Sequence, residues 1–167
     1  MPQTETVILT KTEIEHKIKR MAYQIYEANV SETEVIIAGI VQNGYTLAEK
    51  LKKTVEKISP IQVTLCKVQM DKKNPITTIT TSLSPEEYTN KSLVLVDDVL
   101  HSGTTLIYGI KHFLEVPLKQ FKTAVLVDRN HKKYPVKADY KGISLSTSLN
   151  ENVSVIFEKG NDRAVLE

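Results

Sequence analysis

The apolar residues near the start of the chain recur with the spacing of a helix. Thr12 and Glu15 match a capping box, so we expect this helix to begin near Thr12. Two further helical patterns cover residues 45–58 and a segment that starts near Thr104 and is limited by Pro117. The face predicted for the first helix consists of Ile14, Ile18, Met21, Ala22 and Ile25.

Apolar strands separate these helices. Continuous apolar runs at residues 35–40, 93–96 and 124–127 are typical of parallel strands that are covered on both faces, and residues 61–65 alternate as a strand. Strands that alternate with helices predict an α/β fold with a mainly parallel central sheet flanked by helices. Because the chain has 167 residues and no long linker or repeat, we expect one domain over residues 1–167.

Three other segments are less regular. Residues 42–44 (Gln-Asn-Gly) read as a turn between the strand at residues 35–40 and the helix at residues 45–58. Residues 69–90 are polar, rich in threonine and broken by prolines, which predicts a mobile loop. Residues 134–140 and 153–157 have strand character without a helix, so we expect the C-terminal part to fold over the sheet edge as a small hood.

The most informative stretch is residues 93–106, LVLVDDVLHSGTTL. Asp97 and Asp98 follow a buried strand, and ligands of open α/β sheets sit beyond the carboxyl ends of the strands. Residues 102–105 (Ser-Gly-Thr-Thr) can turn backbone N–H groups and hydroxyls toward one anion, beside the positive end of a helix. Because two carboxylates repel a lone anion, the ligand must offer hydroxyls or a divalent cation, and a sugar phosphate supplies the hydroxyls.

This stretch resembles the 5-phosphoribosyl-1-pyrophosphate (PRPP) signature of type I phosphoribosyltransferases. The resemblance implies transfer of a phosphoribosyl group to a nucleobase, with Mg²⁺ as cofactor, by a pentosyl glycosyltransferase. It implies that Asp97 and Asp98 act as the catalytic pair by holding the ribose hydroxyls. The 5-phosphate would be held by His101, Ser102, Gly103, Thr104 and Thr105, with His101 donating one hydrogen bond and performing no acid–base work.

Two more segments narrow the resemblance. Residues 39–51 (GIVQNGYTLAEKL) and 127–142 (VDRNHKKYPVKADYKG) closely resemble the bifunctional pyrimidine-operon attenuators with uracil phosphoribosyltransferase activity. This favours uracil as the base, although hypoxanthine-guanine phosphoribosyltransferases are similar around the PRPP signature. The base-binding candidates at residues 127–142 are Asp128, Arg129, Tyr140 and Lys141.

The segment that contacts pyrophosphate in the family departs from the attenuator pattern. This chain has Val41, Gln42, Asn43 and Gly44 where the attenuators usually carry Lys-Thr-Arg-Gly, so two cations are missing. Pyrophosphate would then rely on backbone N–H groups and on other residues. The candidates are Gln42, Asn43 and Gly44, together with Lys72 and Lys73 if the loop at residues 69–90 closes over the site.

Composition excludes several other classes. No apolar run approaches 18 residues, and no leader pattern is present, so we expect a cytoplasmic protein without membrane contact. Cys66 is alone and lies in an alternating stretch, which predicts a buried strand residue. The four histidines do not cluster with Cys66 at zinc-ligand spacing, so we assign no residue of the chain as a metal ligand. We also expect a homodimer or a higher homo-oligomer.

An alternative of a different class is an RNA-binding regulator that senses PRPP or nucleotides. The net charge of only +2, from 22 basic and 20 acidic residues, gives little support for strong nonspecific nucleic-acid binding. Two helices nevertheless carry cations that could form a basic face, and solvated helix faces explain them equally well. They are Lys17, Lys19, Arg20, Lys50, Lys52, Lys53 and Lys57.

Overall fold

Two sheets and their helices make up the described part of the chain, which covers residues 5–146 and 151–167 of a computed structural model. The strands are β1 (Thr6–Leu9), β2 (Glu34–Ile40), β3 (Gln62–Gln69), β4 (Thr80–Thr81), β5 (Ser92–Leu100), β6 (Gln120–Asp128), β7 (Tyr140–Ser144), β8 (Val153–Ile156) and β9 (Arg163–Leu166). The helices are α1 (Lys11–Ala28), α2 (Asn43–Ile58), α3 (Pro85–Tyr88) and α4 (Thr104–Phe113).

The central sheet has six strands in the order β4-β3-β2-β5-β6-β7. All its neighbours are parallel except β3 and β4, so the predicted mainly parallel sheet is confirmed. Strand β5 lies in the middle, where Leu95 pairs with Ala38 of β2 and with Thr123 of β6. The carboxyl ends of these parallel strands meet at one edge, as the sequence predicts for the ligand site.

Helices cover both faces of this sheet. Helices α1 and α2 pack together on one face, and the buried residues of α1 are the five that the helical spacing predicts. Helix α4 covers the other face through Leu106 and Phe113, in a second core that includes Cys66. Burial raises the pKa of the Cys66 thiol, as expected of the buried strand residue that the sequence predicts.

Helix α1 begins earlier than predicted. The capping box is made by Thr10 and Glu13: the Glu13 N–H donates to Thr10 Oγ1 at 3.2 Å, and the Thr10 N–H donates to Glu13 Oε1 at 3.1 Å. The prediction of Thr12 and Glu15 as the box is therefore wrong. Both threonines precede a glutamate by three residues, and the end of β1 at Leu9 leaves Thr10 extended, as a cap must be.

Two predicted irregular segments contain regular structure. Asn43 and Gly44, predicted in a turn, form the first residues of α2. The predicted loop at residues 69–90 contains β4 and α3, and Tyr88 is fully buried against the ring of Phe113 with centroids 5.1 Å apart. Residues 134–139 are not a strand, because β7 begins only at Tyr140.

The predicted hood is a three-stranded antiparallel sheet in the order β1-β9-β8. It joins the two ends of the chain, since Val7 pairs with Val165 and Val155 pairs with Ala164. The sequence pattern did not indicate β1 or β9, which are four residues each and pair only with one another and with β8. None of the helices in the described part combines the length and hydropathy needed to cross a lipid bilayer.

Candidate functional site

The acid pair lies near the carboxyl end of β5. The side chains of Asp97 and Asp98 are 5% and 16% exposed, so both carboxylates are largely withdrawn from water. Each accepts a local backbone hydrogen bond at 2.9 Å: the Asp98 N–H donates to Asp97 Oδ1, and the Val99 N–H donates to Asp98 Oδ1. These bonds fix the orientation of both carboxylates and leave other oxygen lone pairs for a ligand.

One lysine offsets part of the negative charge of this pair. Lys72 Nζ lies 3.1 Å from Asp97 Oδ1 and 3.9 Å from Asp98 Oδ1. Burial, and then the negative charge of Asp98, raise the pKa of Asp97 to about 7, while the positive charge of Lys72 opposes the shift. Near pH 7 the Asp97 carboxyl is therefore protonated in part of the molecules. Its charge depends on whether the Lys72 ammonium stays beside it.

The turn after β5 leads into the N-terminus of α4. Gly103 has φ +88°, a left-handed conformation that side chains disfavour, and a Cβ there would lie 2.5 Å from Val136 Cγ1. Ser102 Oγ and Thr104 Oγ1 are hydrogen-bonded at 2.8 Å. Because α4 begins at Thr104, its first N–H groups have no partner within the helix and its positive dipole end faces the turn.

A second segment supports this turn from outside. The Ser102 carbonyl accepts hydrogen bonds from the Lys133 N–H at 2.7 Å and from the Tyr134 N–H at 3.1 Å. The side chain of Val136 packs against Gly103. This support was not predicted, because nothing in the pattern of residues 131–136 indicates which distant turn they contact.

A single cavity of about 210 Å³ brings the acid pair and the turn together. Its volume and its mixture of carboxylates, hydroxyls and helix N-terminal N–H groups suit a small polar anion that also carries hydroxyls. The residues predicted from the PRPP signature all line it, as does one of the two predicted loop lysines. They are Lys72, Asp97, Asp98, His101, Ser102, Gly103, Thr104 and Thr105.

The segment before α2 lies directly beside the acid pair. A Cβ at Gly44 would lie 2.8 Å from the Val96 carbonyl oxygen and 3.0 Å from Asp97 Cα, so only glycine permits this approach. Asn43 Nδ2 donates to Asp98 Oδ2 at 3.1 Å and to the Val155 carbonyl of β8 at 2.8 Å. Asn43 therefore ties Asp98 to the second sheet, and both hydrogens of its amide are used within the protein.

Two of the predicted pyrophosphate residues are placed differently from the rest. Gln42 lies at the N-cap of α2, is exposed and makes no side-chain capping bond. Lys73 is exposed, and it does not line the cavity that Lys72 enters. Of the two loop lysines, the structure therefore brings only Lys72 to the acid pair.

The end of β6 adds a buried arginine next to the turn. Arg129 is 7% exposed, its Nη1 lies 2.9 Å from His101 Nδ1, and its Nη2 donates to the Glu151 carbonyl. Burial and the charge of Arg129 lower the pKa of His101. The sequence predicts Arg129 as a base-binding residue, and the structure places its guanidinium against His101.

The remaining base-site candidates fall into two groups. Asp128 is 1% exposed, and its Oδ2 lies 3.6 Å from Lys132 Nζ and 3.9 Å from Lys141 Nζ. Asp128 also pairs in the sheet with Leu100, which lines the cavity. Asp128 and the two lysines around it therefore lie beside the cavity. Tyr140 does not join them. It is the first residue of β7 and pairs with Ala124, which lies four residues before Asp128 in β6, and its side chain is buried in the core beneath α1.

Comparison with known proteins agrees with this architecture. The family model for the phosphoribosyl transferase domain matches residues 6–157. The chain therefore belongs to the phosphoribosyltransferase family, and its mixed sheet with flanking helices is the type I fold of that family.

Among individual proteins, the chain is similar to proteins described as bifunctional protein PyrR. It is 32% identical to that of Fusobacterium nucleatum in an alignment of 171 positions that covers 96% of each chain. It is also 32% identical to that of Bacillus subtilis, over 90% of this chain and 89% of the relative.

Solved structures share the fold at lower identity. The hypoxanthine phosphoribosyltransferase of Trypanosoma cruzi superposes with a TM-score of 0.74 at 17% identity, over 96% of this chain and 95% of the other. The hypoxanthine-guanine phosphoribosyltransferase of Bacillus anthracis superposes with a TM-score of 0.73 at 19% identity, over 89% and 84%. At these identities the likeness establishes the fold alone.

Proposed function

We propose that this phosphoribosyltransferase moves the 5-phosphoribosyl group of PRPP to a ring nitrogen of a nucleobase, with uracil as the preferred base. The observation that carries the proposal is the cavity in which an acid pair lies next to a glycine turn at a helix N-terminus. In the reaction the C1–O bond to pyrophosphate breaks, a C1–N bond to the base forms, and the ring N–H proton leaves to solvent or to pyrophosphate.

The sugar phosphate would be held by two sets of groups. Asp97 and Asp98 accept hydrogen bonds from the ribose 2- and 3-hydroxyls. The 5-phosphate receives the hydroxyl hydrogen of Thr105, one hydroxyl hydrogen from the bonded pair Ser102 and Thr104, and N–H groups at the start of α4. The ring would then lie between the acids and the helix, and positioning of C1 contributes more to the reaction than any covalent chemistry by the protein.

The pyrophosphate would be held at the start of α2 and by the loop lysine. Because the amide hydrogens of Asn43 are already used, the donors offered there are the backbone N–H groups of the first turn, including that of Gly44. Lys72 adds a charge that can move from Asp97 to the pyrophosphate. These groups compensate for the cations missing from residues 41–44.

The residues present suit Mg²⁺ that arrives with PRPP. In the described part of the chain no three acidic, histidine or cysteine side chains form a metal site, and the donors offered are the two carboxylates of Asp97 and Asp98. Mg²⁺ is commonly bound by one or two carboxylates plus substrate phosphates. When bound, it neutralises the charge that develops on the leaving pyrophosphate.

The choice of uracil is supported by the PyrR relatives and by the resemblance of residues 127–142 to pyrimidine-operon attenuators. Asp128 and Lys141 are the base-side candidates that lie next to the cavity wall. Tyr140 is left out of this proposal because it is a core residue. A purine base is the alternative, since the solved structures that share the fold are described as enzymes for hypoxanthine or guanine.

A panel of bases tests the proposal. The protein is incubated with PRPP, Mg²⁺ and each of uracil, hypoxanthine, guanine and adenine, and the nucleotide and pyrophosphate products are measured. We expect UMP to form fastest, and Asp97→Asn combined with Asp98→Asn to abolish it while circular dichroism stays unchanged. Faster formation of a purine nucleotide would refute the choice of uracil, and the absence of any product would refute the transfer itself.

A second candidate function, RNA binding, is favoured by one structural observation. Helices α1 and α2 border a groove of about 640 Å³ whose charged lining consists of Lys19, Lys50, Lys53 and Lys57 with Glu15 and Asp162. Two of the predicted cations contribute less, because Lys50 pairs with Asp162 at 3.1 Å and Arg20 donates to the Lys141 and Gly142 carbonyls. We propose that single-stranded RNA binds this groove through its phosphates.

Salt dependence tests RNA binding directly. Three lysine–phosphate contacts on a single strand predict a slope of log K against log salt of about −2. Lys53→Gln with Lys57→Gln should reduce its magnitude by roughly 1.4, whereas Lys91→Gln, whose side chain pairs with Glu34 away from the groove, should leave it unchanged. This groove would be excluded as the RNA site if the wild type did not bind attenuator-type RNA. It would also be excluded if the Lys53 and Lys57 double variant bound that RNA as strongly as the Lys91 variant.

A further inference from the structure

The contact between Arg129 and His101 determines where the histidine carries its proton. Arg129 follows β6 and His101 follows β5, and the Arg129 N–H donates to the Leu100 carbonyl at 3.1 Å, which holds the two strand ends together. Arg129 Nη1 lies 2.9 Å from His101 Nδ1. A guanidinium group can only donate hydrogen bonds, so Nδ1 must be the acceptor and the single proton of the neutral ring must be on Nε2.

We infer that Arg129 is a positioning residue that holds His101 as an Nε2–H donor toward the cavity, where it binds an acceptor oxygen of the ligand. The inference rests on the proposed transfer from PRPP and adds a role for two residues within it. His101 lines the cavity, and its Nε2 lies on the ring edge opposite the atom that Arg129 occupies. The acceptor oxygen belongs either to the ribose phosphate or to a ring carbonyl of the base.

The orientation of the guanidinium is fixed from its other side. Arg129 Nη2 donates to the Glu151 carbonyl, and the side chain is 7% exposed. With one nitrogen held by Glu151 and another directed at His101, the planar group has little freedom to rotate. A lysine at this position would supply the charge without the fork of donors that satisfies both partners.

The charges around His101 keep the ring neutral. Burial lowers its pKa most, the positive charge of Arg129 lowers it further, and Lys72 lowers it slightly, whereas Asp98 acts in the opposite direction. A neutral ring whose Nδ1 lone pair is already used, and whose Nε2 is protonated, has no free lone pair to accept a proton. His101 therefore recognises an acceptor and does not act as a general base.

Nitrogen NMR of the free protein tests the tautomer without any substrate. In ¹⁵N-labelled protein at pH 7.5, with His101 assigned by comparison with His101→Gln, we expect Nδ1 to have the shift of an unprotonated nitrogen and Nε2 that of a protonated one. Arg129→Met should give a mixture of tautomers and raise the pKa of His101 toward its ordinary value. Lys91→Met removes a distant surface cation and should change neither. A wild-type ring protonated at Nδ1, or an unchanged ring in Arg129→Met, would overturn the inference.

Ligand binding then tests the role of the donor. His101→Met should weaken binding of ribose 5-phosphate about tenfold if the acceptor is a phosphate oxygen, and should weaken only UMP if it is a base carbonyl. His101→Gln, which keeps an N–H donor, should retain binding within about threefold of the wild type. If both His101 variants lost turnover equally and bound both ligands like the wild type, His101 would be acting as a proton acceptor. That result would overturn the inference. Because the NMR result needs no turnover, a protein without transfer activity would refute the proposed function separately.

Discussion

Lys72 Nζ lies 3.1 Å from Asp97 Oδ1, although the two residues come from different parts of the chain. Lys72 belongs to the segment after β3, and Asp97 lies in the central strand β5. In the proposed reaction the ribose hydroxyls need the carboxylate that this lysine holds. The lysine competes with those hydroxyls for Asp97, and the incoming pyrophosphate offers it a second anionic partner.

Lys72→Met should separate these two roles. Loss of a charge-assisted contact to pyrophosphate should weaken PRPP binding roughly 10- to 150-fold, since such hydrogen bonds contribute roughly 1.5 to 3 kcal/mol. Ribose 5-phosphate, which has no pyrophosphate, should bind at least as well as to the wild type because Asp97 is already free. Calorimetric titration with both ligands measures this difference.

Lys73→Met provides the matched control for that experiment. Lys73 is the next residue and carries the same charge, and it does not line the cavity. Its variant should bind both ligands like the wild type. If both lysine variants lost PRPP affinity equally, the effect would come from the general charge of the loop and not from the contact with Asp97.

Asp97→Asn should make the protein more stable at neutral and higher pH. The pKa of Asp97 is about 7 in the folded protein, and the reference value for the unfolded chain is 3.8. Between these two pH values the folded protein keeps a proton on Asp97 that the unfolded chain has lost. The free energy of unfolding of the wild type should therefore fall as the pH rises from about 4 to 7, and change no further from this group above 7. The asparagine has no charge to bury, so its variant should gain up to roughly 4 kcal/mol relative to wild type at pH 8 and little at pH 4. Urea denaturation across this range measures the gap, and pH profiles that run parallel would contradict the assignment.

The sequence predicts the framework of this site because its chemistry is local. The apolar run, the two acids and the glycine turn are contiguous in residues 93–106, and the parallel sheet follows from alternating periodicities. The five residues on the buried face of α1 were predictable for the same reason. Such patterns depend on spacing within one element, which can be read directly along the chain.

The partners of the site residues were not predictable in this way. The bond from Asn43 to the Val155 carbonyl joins positions 112 residues apart, and that from Arg129 to His101 joins positions 28 apart. Tyr140 illustrates the same limit. An aromatic residue suits either a base site or a core, and only the register of β7 against β6 shows that Tyr140 lies level with Ala124, four residues before Asp128. Long-range register of this kind is determined by how the sheets pack.

Asn43→Ala should loosen the attachment between Asp98 and the second sheet. The variant removes two hydrogen bonds, one to a carboxylate that is 16% exposed, so we expect a loss of about 1 to 3 kcal/mol in the free energy of unfolding. Because β8 is held less firmly, amide exchange at Val155 and its neighbours should accelerate more than exchange in β2. Asn43→Asp should be worse above about pH 5, since it places a second negative charge against Asp98. Uniform acceleration of exchange across both sheets would show that Asn43 does not hold β8 specifically.

Gly103→Ala should damage the phosphate turn more than its backbone conformation alone explains. An alanine at φ +88° has a conformational cost of about 1 to 2 kcal/mol, and its Cβ would also lie 2.5 Å from Val136 Cγ1. Gly160 is the matched control, because it has φ +80° and a Cβ there would meet nothing within 4 Å, so Gly160→Ala should show the conformational cost alone. Thermal unfolding should therefore rank the variants as wild type, Gly160→Ala and Gly103→Ala in falling stability, and only Gly103→Ala should lose affinity for ribose 5-phosphate. Adding Val136→Ala to Gly103→Ala should restore part of both losses, because it removes the methyl group that the new Cβ meets. If the two glycine variants lost equal stability and both kept ligand affinity, the close packing of Val136 on the turn would not support phosphate binding.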